Sequence, residues 1–118
     1  MEIQLTLTAE PSVIGEAVGL AKGAGAEVSA PEAVSVPGAL NAGISLEDLK
    51  TAIEVVTIIL TTGKAAFEFL TAMRAYLRDR APSATAALTD ARSGRLAGRL
   101  RANSSDAELQ DLVDKVTG

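Results

Sequence analysis

The chain has 118 residues, 47% of them hydrophobic and 22% charged, which is typical of one folded domain. It contains no cysteine and no histidine, which excludes disulfides, thiolate metal sites and a histidine general base. The sequence shows no signal-peptide pattern and no catalytic, cofactor or metal motif. We therefore expect a single domain, residues 1–118, that is cytoplasmic, non-enzymatic and without a cofactor.

The net charge of −4 conceals a division of the chain into charged blocks. Residues 1–73 contain nine acidic residues and three Lys, whereas residues 74–101 contain all seven Arg and two Asp. Residues 102–118 are acidic again, with four acidic residues and one Lys. Blocks of opposite sign steer specific association, so the sequence predicts a protein that binds protein partners, including further copies of itself.

The first part of the chain predicts a strand and a short helix. Ile3, Leu5 and Leu7 alternate with polar residues, which predicts a half-buried strand up to position 8. Pro11 suits the first turn of a helix, and the apolar residues that follow it have helical spacing until Gly23.

Residues 26–36 again have β character, but Pro31 interrupts them. Proline has no N–H to donate to a neighbouring strand, so it is confined to edge strands and bulges. We expect an edge strand or an irregular segment here, followed by a loop over 37–43.

The strongest predicted element is an apolar helical segment over 46–79. Ser45 and Asp48 resemble a capping box, and the segment contains no proline and a single glycine, Gly63. Its apolar residues recur at spacings of three and four, which predicts a helix buried on most of its circumference. The apolar helix face consists of Leu49, Ile53, Val56, Leu60, Phe67, Leu70 and Leu77.

The length of this segment raises a problem, because a straight helix over 46–79 would span roughly 50 Å, far more than the size of such a domain allows. We therefore favour a kink or a tight turn at 61–63, where Gly63 follows two threonines. A single helix that projects and is covered by another subunit is the alternative. Pro82 ends the segment in either case.

Beyond Pro82, residues 84–90 and 95–102 flank a turn that contains Gly94, which predicts a β-hairpin. A helix is the alternative, because the leucines of this region also fit helical spacing. Ser105 and Glu108 then form a capping box before a last short helix.

The arginine block supplies the candidate binding residues, for which we expect a surface patch that meets an acidic patch. Nucleic-acid binding by the cluster over 92–101 is an alternative, although only Tyr76 lies in the block as an aromatic residue that could stack on bases. Membrane insertion of an oligomer through 46–79 is another, although charges interrupt that segment. The candidate residues are Arg74, Arg78, Arg92, Arg95, Arg99 and Arg101.

Several features occur together along nearly the whole chain. They are the strand over 3–7, Pro37-Gly38, Gly63 within a long apolar segment, Tyr76-Leu77-Arg78, Ser93-Gly94-Arg95 and a closing acidic helix over 105–116. In this order they resemble the effector-associated constant component family, small proteins found beside effectors in predicted bacterial conflict systems. The resemblance implies an accessory or adaptor role and brings no catalytic residues.

We predict an α+β domain in which a small mixed sheet packs against a long apolar helix or kinked helix pair, in the order β-α-β-α(α)-β-β-α. The predicted function is that of a non-enzymatic, self-associating protein-interaction module. It would serve as an accessory or adaptor component of a bacterial conflict (defence) system.

Overall fold

The structure, a computed structural model, describes residues 3–33 and 54–117. Within these ranges the chain forms one antiparallel sheet and three helices, so the α+β class is confirmed. The strands are β1 Ile3–Ala9, β2 Glu27–Val28, β3 Glu32–Ala33, β4 Glu54–Leu60, β5 Thr85–Asp90 and β6 Leu96–Arg101. The helices are α1 Pro11–Gly23, α2 Gly63–Arg80 and α3 Asp106–Thr117.

The strand order is β2-β4-β1-β5-β6, and β3 pairs with β4 beside β2. All described pairs are antiparallel, so the sheet is not the mixed one that we expected. α1 connects β1 to β2, and β4 lies between these two strands in the sheet. α2 connects β4 to β5, and β1 lies between them. These two interleaved β-α-β units make a ferredoxin-like fold, which β6 and α3 extend at one edge.

The core lies between the helices and one face of the sheet. On β1, Ile3, Leu5 and Leu7 point to this face and are buried, as the alternation predicted. β1 is the central strand, since it pairs with β4 on one side and β5 on the other. The helices contribute Val13, Ile14, Ala17, Phe69, Leu70, Met73, Leu77, Leu109, Leu112, Val113 and Val116 to the same core.

β2 and β3 are two pieces of one interrupted edge strand. Glu27 lies opposite Ile59 and Glu32 opposite Val55, so the β2–β3 side has one extra residue. Pro31 falls in this bulge, where its missing N–H costs no ladder hydrogen bond. The prediction of a proline-interrupted edge strand is therefore confirmed for residues up to 33, whereas the loop expected over 37–43 lies outside the described residues.

The predicted helix over 46–79 is wrong in its described first half, because residues 54–60 form strand β4. Val56, Ile58 and Leu60 point into the core, while Val55 and Ile59 lie half-buried on the opposite face. Because apolar residues lie on both faces of β4, its sequence lacks the apolar–polar alternation of a half-buried strand and fits a buried helix as well. β-branched residues occupy five of the seven positions and favour a strand.

The break predicted at 61–63 is present, and α2 begins within it, at Gly63. The hydroxyl of Thr62 accepts a hydrogen bond of 3.0 Å from the N–H of Ala65, which caps the helix. The turn thus joins a strand to a helix rather than two helices.

The hairpin predicted after Pro82 is confirmed, with β5 and β6 joined by a tight turn. Gly94 in this turn has a φ of +75°, a conformation that favours glycine. The last helix is confirmed as well, since the Ser105 hydroxyl accepts a hydrogen bond of 3.2 Å from the Glu108 N–H.

Within residues 3–33 and 54–117, the structure holds no helix with both the length and the apolar character to cross a membrane.

Candidate interaction surface

The structure places the six candidate arginines around β6, the strand at one edge of the sheet. We call β6, the hairpin turn 91–95 before it and the loop 102–105 after it the arginine edge. Arg92 and Arg95 belong to the turn and Arg99 and Arg101 to the strand. Arg74 and Arg78 reach the loop from α2. The sequence predicted a common patch, and the fold places all six residues at one edge.

Arg74 and Arg78 hold the loop 102–105 at the end of β6. Arg78 Nε donates a hydrogen bond of 2.8 Å to the carbonyl of Ala102, and Arg74 Nη1 donates one of 3.1 Å to the carbonyl of Ser104. Arg74 Nη1 also lies 2.7 Å from a carboxylate oxygen of Asp106, the first residue of α3. Arg74 is only 12% exposed, so its role is chiefly structural, whereas Arg78 remains exposed.

The hairpin turn at the other end of β6 is fixed by Asp90. Its carboxylate accepts hydrogen bonds from the Ser93 hydroxyl at 2.9 Å and from the Arg92 N–H at 3.2 Å. These bonds favour the charged carboxylate and hold the pKa of Asp90 below its ordinary value of 3.8. The turn therefore presents Arg92 and Arg95, both exposed, on a rigid support.

β6 itself carries both charge and an exposed apolar side chain. Arg99 lies opposite Ala87 and Arg101 opposite Thr85, on the sheet face away from the helices. Arg101 is exposed and Arg99 half-buried. Leu96 is 39% exposed, and among the described residues no other large hydrophobic side chain is exposed. In the sequence, Leu96 entered only the helical alternative for this region, and that spacing gives no sign that the side chain is exposed.

An open groove separates the arginine edge from α3. Its walls are residues 97–99 of β6 and the α3 residues Ala107, Glu108, Asp111, Leu112 and Lys115, and its volume is about 350 Å³. A second groove of about 590 Å³ continues past Leu96 to the hairpin turn and shares Ala97 and Lys115 with the first.

Gly98 forms the floor of the first groove. A Cβ atom at this position would lie 2.6 Å from a δ-methyl group of Leu112, so the absence of a side chain lets α3 approach β6 closely.

The α3 side of the groove is acidic, a feature that we did not assign as a site from the sequence. Glu108 and Asp111 are exposed and line the groove, and Asp111 forms an ion pair of 3.0 Å with Lys115. The capping-box pattern had identified this helix, but only its packing beside β6 places these acids across a groove from Arg99.

The residues predicted as an apolar helix face are mostly core residues. Val56 and Leu60 lie on β4 rather than on a helix, and Leu70 and Leu77 lie on α2; all four are at most 1% exposed. Phe67 is half-buried against the core. Leu49 and Ile53 lie outside the described residues. The described part of this face therefore belongs to the core, apart from the half-buried Phe67.

Within the part of the chain that the structure describes, no group of three or more acidic residues has the arrangement of a metal site. Comparison of the chain with protein-family models, with curated proteins and with solved structures finds no significant match.

Proposed function

We propose that this chain is a non-enzymatic protein-interaction module that self-associates and serves as an accessory or adaptor component of a bacterial conflict (defence) system. The observation that carries the proposal is the collection of six arginines at one sheet edge, beside an acidic helix. Complementary charges of this kind provide specificity and fast association. The described apolar side chains of the predicted helix face lie in or against the core, so the proposed contact is polar.

The accessory role in this proposal rests on the resemblance to the effector-associated constant component family. The features that carry it include the strand over 3–7, the break at Gly63 and the hairpin turn at Gly94. Pro37-Gly38 belongs to the same pattern but lies outside the described residues. An adaptor in such a system would link an effector to another component by protein contacts alone.

The test is co-expression with the proteins encoded beside this one, followed by gel filtration with light scattering. We expect a complex of defined stoichiometry that the double variant Arg95→Glu/Arg101→Glu weakens. The matched control is Lys22→Glu, which reverses an exposed charge on α1. Failure of every neighbouring protein to form a complex would contradict the adaptor role.

Nucleic-acid binding is a second candidate, which the same collection of arginines favours. The phosphate backbone would bind Arg92, Arg95, Arg99 and Arg101, and affinity would fall steeply as salt rises. The aromatic residue nearest to these arginines in the sequence, Tyr76, is half-buried, which leaves it poorly placed for base stacking. A gel shift at low salt that Arg95→Glu/Arg101→Glu abolishes would favour this function over the first.

A further inference from the structure

The arginine edge and the exposed face of α3 are two stripes of opposite charge that lie side by side. Arg78, Arg95 and Arg101 are exposed on the first stripe. The second stripe belongs to residues 102–118, which carry a net charge of −3. The two stripes meet at the grooves beside β6, where Arg99 lines the first groove with Glu108 and Asp111, and Arg95 lines the second. The exposed acidic residues of α3 are Asp106, Glu108, Asp111 and Asp114.

We propose that a second copy of this chain binds here, with its α3 against the arginine edge of the first copy and its arginine edge against the first copy's α3. This inference rests on the self-association included in the proposed function and names the surface that performs it. A twofold axis along the groove exchanges the two stripes, so that both contacts form at once and the assembly closes at two copies.

The charge pattern also determines how the second copy binds. If two copies paired through their β6 strands, an antiparallel ladder centred on Gly98 would place Arg95 opposite Arg101 at both ends. Like charges directly opposite each other destabilise a strand pair. The opposing surface is therefore the acidic helix and not the partner's strand.

Leu96 supplies an apolar contact within this polar surface. It lies at the end of the groove near Ala97 and Lys115, where the second copy would cover it. Burial of this side chain between the copies would remove exposed apolar surface from water.

The size of the patch predicts a weak dimer. β6 alone runs roughly 20 Å at ~3.3 Å per residue, and α3 runs about 18 Å at 1.5 Å per residue. A footprint of roughly 400–500 Å² per copy is below the ~800 Å² of a standard stable interface. We therefore expect a dimer that forms at high protein concentration and dissociates as salt screens its charges.

The experiment is a charge-swap analysis by sedimentation velocity at about 0.05 and about 0.5 M NaCl. The edge variant is Arg95→Glu/Arg101→Glu, and the helix variant is Glu108→Lys/Asp111→Lys. Each variant alone places like charges across both contacts, so its dimerisation should weaken roughly 100-fold or more. An equimolar mixture of the two variants restores both contacts and should form a heterodimer.

Circular dichroism and the melting temperature verify that each variant is folded. The matched control is Glu16→Lys/Lys22→Glu on α1, which should dimerise like the wild type. Recovery in the mixture, and in a chain that carries all four substitutions, would establish the surface. A wild-type dimer that survives both charge reversals would overturn the surface but leave self-association intact. A wild-type chain that stays monomeric at low salt would overturn the dimer, while the co-expression test of the adaptor role stands separately.

Discussion

The two edges of the sheet are built in different ways. At one edge, β2 and β3 are two-residue strands separated by a bulge at Pro31, with Glu27 and Glu32 exposed. At the other edge, β6 is a strand of six residues with arginines along it. α1 packs beneath the first edge, whereas α3 and two α2 arginines support the second.

The difference lies in what prevents each edge from pairing with another chain. Unpaired strand edges bind other strands unless proline, bulges or charges prevent it. The backbone blocks the β2–β3 edge, because Pro31 has no N–H, and salt does not change that. Side-chain charge protects the β6 edge, and charge responds to salt and to partners. The β2–β3 edge is thus protected by its backbone, and the β6 edge by charges whose effect weakens as salt rises.

The largest expected difference between the two edges is the unfolding free energy that is lost when an apolar side chain of each edge is truncated. Leu100 on β6 is fully buried, whereas Val28 on β2 is half-buried. Leu100→Ala should cost about 2–5 kcal/mol of unfolding free energy, because it leaves a cavity. Val28→Ala should cost about 1 kcal/mol. Urea denaturation measures both, and equal losses would show that the two edges are anchored alike.

The next largest effect is expected where α3 approaches β6. Gly98→Val would place a Cβ atom 2.6 Å from a δ-methyl group of Leu112 and would put a β-branched residue at a φ of +157°. Overpacking and backbone strain should together cost at least about 1–3 kcal/mol of stability. The matched change under the other edge is Gly19→Ala in α1, where a Cβ meets nothing within 4 Å. That change should stabilise the protein by about 0.5–1 kcal/mol.

Thermal and urea unfolding of both glycine variants verify this contrast. In a double-mutant cycle, Gly98→Val should cost less stability in a Leu112→Ala background than in the wild type, because the overlapping methyl group is gone. A Gly98→Val protein as stable as the wild type would mean that α3 does not depend on this close approach.

A smaller effect is expected from the guanidinium groups that support the arginine edge. Arg74→Met keeps the apolar stem but loses the hydrogen bond to the Ser104 carbonyl, so stability should fall by about 1–2 kcal/mol. The ion pair with Asp106 contributes little of this, since Asp106 is 78% exposed. Asp106→Asn should accordingly cost less than about 0.5 kcal/mol. Lys22→Met under the other edge is the control and should leave the urea midpoint unchanged.

The smallest effect concerns Asp90 in the hairpin turn and depends on pH. Its pKa is lower in the folded protein than the ordinary 3.8, mainly because the Ser93 hydroxyl donates to its carboxylate. The ionised group therefore stabilises the fold above pH 3.8, and this contribution disappears as the pH falls through the lower folded pKa. Asp90→Asn should be less stable than the wild type at neutral pH. Urea midpoints at pH 7 and about pH 3 should show the gap narrowing in acid; a gap that stays constant would assign the loss to geometry rather than charge.

The elements with a clear local signal were predictable from the sequence. Alternation identified β1, Pro11 and Gly23 bounded α1, Pro31 marked an edge strand, Gly94 marked the hairpin turn and Ser105 marked the start of α3. Each of these signals depends on the chemistry of a few neighbouring residues: a fixed φ, a missing N–H or a capping oxygen. The capping box at Ser45 and the helix-face residues Leu49 and Ile53 lie outside the described residues and stay predictions.

β4 was mispredicted because its apolar residues face two environments. Val56, Ile58 and Leu60 face the helices, and Val55 and Ile59 face the other side of the sheet. An apolar run of this kind fits a buried helix and a buried strand equally well by spacing. The β-branched composition was the signal that favoured a strand, and it deserved more weight than the spacing.

The sequence by itself determined most element boundaries, the absence of cysteine and histidine chemistry, and the confinement of every arginine to residues 74–101. Only the tertiary structure decided that β1 is central, that β6 ends the sheet and that α3 lies beside it. The physical reason is that capping, turn and alternation signals act over a few residues, whereas strand order follows from which faces can be buried together. The placement of Arg99 with Glu108 and Asp111 around one groove follows from that packing and from no local pattern.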